Sequence, residues 1–367
     1  MQLPAALPVT RKLSGFRPSF PLDLVTLAPA GLYCAAGGFY IDPWRPVDRA
    51  VITHAHSDHA SGGHGQYLVT AAGEQVTRRR VGAATIQTLE YGERLAIGDV
   101  TLSFHPAGHV LGSAQVRLEH RGEVWVVSGD YKLQPDPTCA PFEPVRCHAF
   151  ITESTFGLPI YRWREPAALF ADVSAWWREN RDAGRASVVY AYALGKAQRL
   201  IASVAADLGP IYCHGAVEVL NDAYRASGVA LPATQRVSAA PRGHHYGDAL
   251  IVAPPSAQGT PWLKRFGDYA DAFASGWMQI RGVRRRRAVD RGFALSDHAD
   301  WPGLQRAIAA TGAERVIVTH GYEDVMVRWL QQQGLQAHRL ETPFGQEDGA
   351  APGAEPAQAL VEAAAAD

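Results

Sequence analysis

The sequence predicts an α/β fold carried by two domains, or by one domain with a large insert, and three observations lead there. At 367 residues the chain exceeds the usual size of a single hydrophobic core. The β-branched runs AVITHAHSDH, EVWVVSGD, ASVVYAYALGK and ERVIVTHG read as buried strands, and each ends at reactive residues. Between them, AALFADVSAWWREN, GKAQRLIASVAADL and WPGLQRAIAA carry a helical period. Ligands of such sheets gather where strands end, which is where the His and Asp residues lie. No internal repeat is visible. From about Gly345 the chain is rich in Ala, Gly and Pro without an apolar period, which predicts a disordered tail.

Composition narrows the class further. A hydrophobic fraction of 47% and an aromatic fraction of 9% are those of a globular protein. No apolar run approaches the roughly 20 residues of a membrane-spanning helix. Arg11 and Lys12 follow the first apolar patch, the reverse of the order in a secretory signal. The four cysteines, Cys34, Cys139, Cys147 and Cys213, form no CxxC pair, so neither a disulfide framework nor a thiolate zinc site is expected, and a reducing cytoplasm is. With a net charge of -1, only local charge can attract a polyanion. Arg281, Arg284, Arg285, Arg286, Arg287 and Arg291 form the densest basic run, and Arg78, Arg79 and Arg80 a second; each reads either as a solvated face or as a phosphate-binding surface.

The chemistry concentrates in VITHAHSDHA, where three histidines and an aspartate crowd into six positions. Alternate side chains of an extended segment share a side, so His54 and His56 can face one metal while Asp58 and His59 face a second. Imidazole and carboxylate donors suit Zn²⁺, with Mn²⁺ or Fe also accommodated. Two cations need more ligands, and His109 in PAGHVLGSA, Asp130 in VVSGDY and His320 in VIVTHGY each border a strand. Asp130 is the candidate to bridge the pair. No cysteine carries a nucleophile signature, and no Walker-type glycine loop is present.

HAHSDH, PAGH, SGD and VTHG, in that order, resemble the ligand motifs of the metallo-β-lactamase fold. TESTFG (Thr152 to Gly157) and LSDHADW (Leu295 to Trp301) add two motifs similar to those of its β-CASP branch, the nucleases related to the cleavage-and-polyadenylation endonuclease and Artemis. DPWRPVDRAVITHAHSDHA, GHVLGSAQ, ESTFGLPIYRW, FASGWMQ and SDHADWPGL most resemble the bacterial ligase-associated DNA exonucleases, across residues 20–345. The resemblance implies an αββα sandwich with an inserted β-CASP α/β domain. Its parts would be residues 1–157 and 292–344 for the metallo-β-lactamase domain, 158–291 for the insert and 345–367 for the tail.

The same resemblance assigns His54, His56, His109 and Asp130 to one cation, and Asp58, His59, Asp130 and His320 to the other. Asp42, in YIDPW, would orient a ligand rather than touch metal; it reads equally as a turn-forming residue before Pro43. Asp58, Asp130, Glu153 and His298 form the implied catalytic set, with His298 as general acid and Glu153 fixing its tautomer. A helix cap by Ser296 or Asp297, ahead of a helix beginning near Asp300, is compatible with that role. Lys196, at a strand-to-helix turn, reads as a phosphate-binding residue or as part of a simple glycine bend, and Arg199 would extend the phosphate path with Arg284 to Arg287. Trp262, Phe266, Phe273 and Trp277 read as core or as base-stacking surfaces.

Four functions follow. The first is a DNA exonuclease of repair, working with a ligase and a helicase. The second is an RNA-processing nuclease, favoured by His320, since the DNA-repair members related to Artemis generally lack a histidine at the last motif. A small-molecule hydrolase would leave Glu153, His298 and the insert without a role. A binding subunit with decayed ligands conflicts with a complete ligand set.

Overall fold

The computed structural model describes residues 23–82 and 85–340, so the tail expected from Gly345 onward lies outside the described residues. Three sheets organise the chain. The first runs in the order Thr26–Ala28, Gly31–Cys34, Phe39–Ile41, Arg49–Val51, Gln66–Thr70, Ile86–Leu89. Its first three strands are antiparallel and the remainder pair in parallel. The second sheet has seven strands, ordered Gln336–Arg339, Arg315–Gly321, Ala149–Ser154, Glu123–Val127, Ala114–His120, Val100–Pro106, Arg94–Ile97.

Side-chain alternation stacks these two sheets. In Glu123–Val127, Trp125 and Val127 point into a core shared with Phe39, Ile41, Val51 and Leu68 of the first sheet, whereas Val126 points the other way. Ile317 repeats the pattern, facing the first sheet between Val316 and Val318, which meet the helices Trp301–Thr311 and Glu323–Gln332. Both faces of the second sheet are therefore covered. That explains why Ala149–Ser154 is buried at all six positions, its apolar half Ala149–Ile151 showing no alternation and its polar half Thr152–Ser154 leading into the site. The helix Glu74–Val81 and the small cluster of Ala50, Ile52, Tyr67 and Val69 lie on the outer side of the first sheet. Two sheets between helical layers make the αββα sandwich.

The third sheet is wholly parallel: Thr234–Arg236, Ile211–Cys213, Leu250–Ala253, Ala186–Tyr190, Tyr269–Ala274, Arg291–Phe293. Its helices are Pro166–Asp182, Lys196–Ser203 and Gly215–Ala226, whose apolar faces pack with Ala55, Val76 and Leu111 of the sandwich in one continuous core. The α/β unit is thus anchored beside the HAHSDH loop. Among the described residues no helix is long and apolar enough to cross a membrane.

Two local expectations are corrected. The strand feeding HAHSDH ends at Val51, and Ala60 N-H donates to the His56 carbonyl at 2.8 Å, so the motif is a turn rather than an extended run. The helix at Trp301 is capped by Asp300, whose Oδ1 accepts from Gly303 N-H at 2.9 Å. Ser296 and Asp297 do not cap it; Ser296 Oγ instead accepts from the His298 N-H at 3.1 Å.

Candidate metal centre

Each motif leaves the end of a strand and turns inward over the same edge of the sandwich. His54, His56 and His59 follow Arg49–Val51, His109 follows Val100–Pro106, Asp130 follows Glu123–Val127, and His320 closes Arg315–Gly321. Gly129, at φ +55°, lets the Asp130 loop lie on Thr53, where a Cβ would meet the Thr53 Cβ at 2.7 Å.

His54, His56, His109 and Asp130 present one ligand atom each, all within 4.8 Å of one another. His56 Nδ1 is 3.1 Å from His54 Nε2 and 3.0 Å from His109 Nε2, while Asp130 Oδ2 is 3.5 and 3.7 Å from the two Nε2 atoms. Donors about 2.0–2.2 Å from one tetrahedral centre stand about 3.3–3.6 Å apart, so the spacing is that of a Zn²⁺-type ligand set.

The outer nitrogens fix the tautomers. His109 Nδ1 faces the Asp297 carbonyl at 2.7 Å, and His56 Nε2 faces the Leu194 carbonyl at 3.2 Å. A carbonyl only accepts, so both imidazoles carry their proton on the outside and turn a lone pair inward. His54 Nδ1 lies 3.1 Å from Thr53 Oγ1, whose own proton goes to Asp42 Oδ2 at 2.6 Å, so Thr53 accepts from His54. Three inward lone pairs cannot bond one another. They fit a cation, and the surrounding acceptors are the outer partners that metal-binding histidines require.

The set assigned to the second cation is more open. His59 Nε2 is 3.6 Å from Asp58 Oδ2 and 3.5 Å from Asp130 Oδ2, and the His320 ring centroid is 5.7 Å from that of His59. Asp42 holds His59 Nδ1 at 2.7 Å and the Thr53 N-H at 2.8 Å. Asp42 and His320 are non-glycine residues at positive φ, 44° and 57°, and the Ser154 hydroxyl pins the His320 carbonyl. Backbone strain of this kind concentrates at functional sites.

Electrostatics match the geometry. Burial, reinforced by neighbouring imidazoles, holds His54 and His109 well below the usual histidine pKa, which keeps them neutral. Burial also works against a charge on His59, but Asp130, Asp58 and Asp42 outweigh it and raise its pKa well above normal. The same negative field favours a divalent cation. Asp130 is buried, yet His59 and His298 keep it ionised far below the ordinary carboxylate pKa.

Asp130, Glu153 and His298 form a second gathered group. His298 Nδ1 is 2.9 Å from Glu153 Oε2, and Glu153 Oε1 accepts from the Tyr131 N-H at 2.8 Å. Glu153 is 1% exposed, whereas the His298 side chain keeps 21%, so the imidazole is the more open of the two and its carboxylate is enclosed behind it. Burial opposes the charge on His298, but Glu153 and Asp130 prevail and its pKa is raised to about 9.

Lys196 does open a helix after a strand, yet its ammonium is turned inward. It is 6% exposed, 3.7 Å from Asp297 Oδ2, and lies 4.3 Å from the centroid of the Tyr192 ring. Arg199 is buried too, donating to the Ser296 carbonyl at 2.6 Å. Lys132 bonds Asp136 at 2.6 Å and the His109 carbonyl at 3.1 Å. This buried ionic cluster ties the Asp130 loop, the Leu194 turn and the 296–298 segment together directly behind the candidate ligands. Motif spacing does not single out Thr53, Lys132, Asp136 or Asp297 for these roles. Of the four, Thr53 has a local signal, its place next to His54.

An αββα sandwich with its His/Asp cluster at the strand ends, beside a parallel α/β unit, defines a hydrolase-type metal centre of the metallo-β-lactamase fold. The chain resembles the β-CASP branch of that fold, as its relatives indicate. It is 31% identical over 312 residues to a probable DNA ligase of Opitutus terrae, a match covering 84% of this chain and 30% of that protein. Identity is 27% over 212 residues to a ribonuclease of Thermus thermophilus, covering 48% of this chain and 45% of the relative. It is 31% over 127 residues to cleavage and polyadenylation specificity factor 73 of Drosophila melanogaster, covering 32% and 17%. The chain thus spans less than half the length of these relatives. A solved protein of unknown function from Enterococcus faecalis shares the fold, with a TM-score of 0.56 at 10% identity over 81% of this chain and 80% of that one. No protein-family model matches.

Proposed function

We propose that the protein is a metal-dependent phosphodiesterase that hydrolyses DNA, acting as an exonuclease in repair alongside ligation. One observation carries the hydrolase reading: His54, His56 and His109 turn lone pairs toward Asp130, with His298 backed by Glu153 at the same carboxylate. His54, His56, His109 and Asp130 would hold one divalent cation, and Asp58, His59, Asp130 and His320 a second. Nitrogen-rich donors suit Zn²⁺ and the carboxylate-rich side suits Mn²⁺. Such a pair supplies charge to the phosphoryl oxygens and acidifies a water. The chain's own residues do the rest. Asp42 and Thr53 hold His59 and His54 in their ligand tautomers, Glu153 keeps the Nδ1 proton of His298, and His298 Nε2 faces the cleft to protonate the departing oxygen.

The insert of residues 158–291 closes over the sandwich and defines the cleft for the strand. Support for DNA and for a ligase comes from the Opitutus relative, a probable DNA ligase matched over 84% of this chain. A second reading, RNA processing, is supported by the Thermus ribonuclease and by His320. End-labelled DNA and RNA, incubated with purified protein and with Zn²⁺ or Mn²⁺ in turn, separate the two: a ladder shortening from one end of DNA supports the first reading. Cleavage of RNA alone supports the second, and cleavage of neither overturns both.

A further inference from the structure

We propose that Trp277, Tyr322 and the exposed arginines of the helix Arg281–Arg286 form a track that binds single-stranded nucleic acid as it leaves the catalytic cleft; this rests on the nuclease reading above.

Trp277 lies in the turn Gly276–Gln279, half-buried, with its ring centroid 4.9 Å from that of Phe156. The Phe156 ring is in turn 6.0 Å from His298. From the other side, Tyr322 sits two residues past His320, half-buried, with its ring 6.5 Å from Trp277. Phe156 and Tyr161 are buried beneath, whereas Trp277 and Tyr322, like Trp163 on the His298 side, are left partly open. Trp277 packs with one side against the core of Phe273 and Met278 and stays partly open on the other.

Phosphate-binding charge begins at once. Val283 anchors the short helix, while Arg281, Arg284, Arg285 and Arg286 are exposed or half-exposed, and among the described residues none of the four stands within ion-pair distance of a carboxylate. The stem of Arg284 lies against Gly292 beside Met278, which belongs to the same turn as Trp277. With a net charge of -1 for the chain, this concentration is local rather than a by-product of a basic protein. Aromatic faces followed by unpaired cations are what a single strand needs: bases stack on the rings and the backbone follows the charge. A duplex hides its base faces, so the rings select unpaired strands.

The test is fluorescence anisotropy of the full-length, metal-loaded protein with labelled phosphorothioate 12-mers of deoxythymidine and of uridine, the deoxythymidine strand paired with its complement, and a strand with abasic residues. Trp277→Leu is expected to weaken single-strand binding on the order of 10-fold or more, Trp277→Phe less, and the abasic strand should erase the difference between variant and wild type. Replacing Arg285 and Arg286 by Ala should lower the slope of log affinity against log salt by about 2 at most, about 1 for each phosphate that is no longer neutralised. The deoxythymidine and uridine arms show whether the track takes DNA, RNA or both. Unchanged binding by all variants, or equal losses for Trp277→Leu and Trp277→Phe on intact, abasic and duplex substrates, would overturn the proposal. A wild-type protein that binds single strands but cleaves no nucleic acid would leave the track standing and defeat the nuclease reading instead.

Discussion

The backbone carbonyl of Leu194 lies 3.2 Å from Nε2 of His56, across a separation of 138 residues. The parallel α/β unit therefore completes the hydrogen bonding of a candidate ligand that belongs to the sandwich. Gly195, next in sequence, has φ +88°, and a Cβ there would fall 2.3 Å from Val110 Cγ1. Gly195→Ala is expected to displace the turn and lower zinc affinity about 10- to 100-fold in a chelator competition, the range for removal of an outer partner. Gly228, also at positive φ but in open space, is the control, and Gly228→Ala should alter stability without altering zinc affinity.

Thr53 passes one hydrogen bond from His54 to Asp42. Thr53→Val keeps the shape and removes the acceptor, so the His54 tautomer is no longer fixed. Zinc affinity should fall about 10-fold or more. An unchanged titration would show that Thr53 serves packing alone.

Asp130 and His298 should separate metal binding from chemistry. Asp130→Ala is expected to lose bound metal and all divalent-dependent cleavage, as measured by metal analysis and by hydrolysis of end-labelled DNA and RNA. His298→Ala should keep its metal while kcat falls by roughly 10² to 10⁴, the contribution of a general acid. Metal loss in His298→Ala would reassign the residue to the ligand set.

A pH effect on stability is expected far from the site. Asp23 meets Arg315 through two bonds of 2.5 and 2.7 Å, and this pairing lowers the Asp23 pKa against a smaller opposing effect of burial. A carboxylate whose pKa is depressed on folding stabilises above its unfolded pKa, and that gain is lost as pH falls through the folded value. The Asp23 side chain is 35% exposed, so solvent screening limits the gain to less than about 1 kcal/mol. Asp23→Asn should lower the thermal midpoint by a constant amount above about pH 5, and the difference should shrink as the pH drops below the ordinary carboxylate value of about 3.9.

Much of the chemistry is written locally. The runs feeding Asp130 and His320 are legible as strands because β-branched and aromatic residues fill three and four consecutive buried positions in a sheet covered on both faces. The antiparallel strands Thr26–Ala28, Gly31–Cys34 and Phe39–Ile41 are not legible, since three or four residues are too few to show a period. Residue types at motif spacing name the donors His54, His56, His109 and Asp130, because imidazole and carboxylate groups are what a divalent cation can use there.

Tertiary structure alone decided how those donors are aimed. Every residue has a carbonyl, so nothing in the sequence marks those of Leu194 and Asp297 as the acceptors for His56 and His109, 138 and 188 positions away. The inward turn of Lys196 follows from Asp297, a distant acid that burial forces to find a cation. Residue types specify which atoms can bind; packing of one sheet unit against the other sets which lone pairs face each other, since that depends on distances no local pattern encodes.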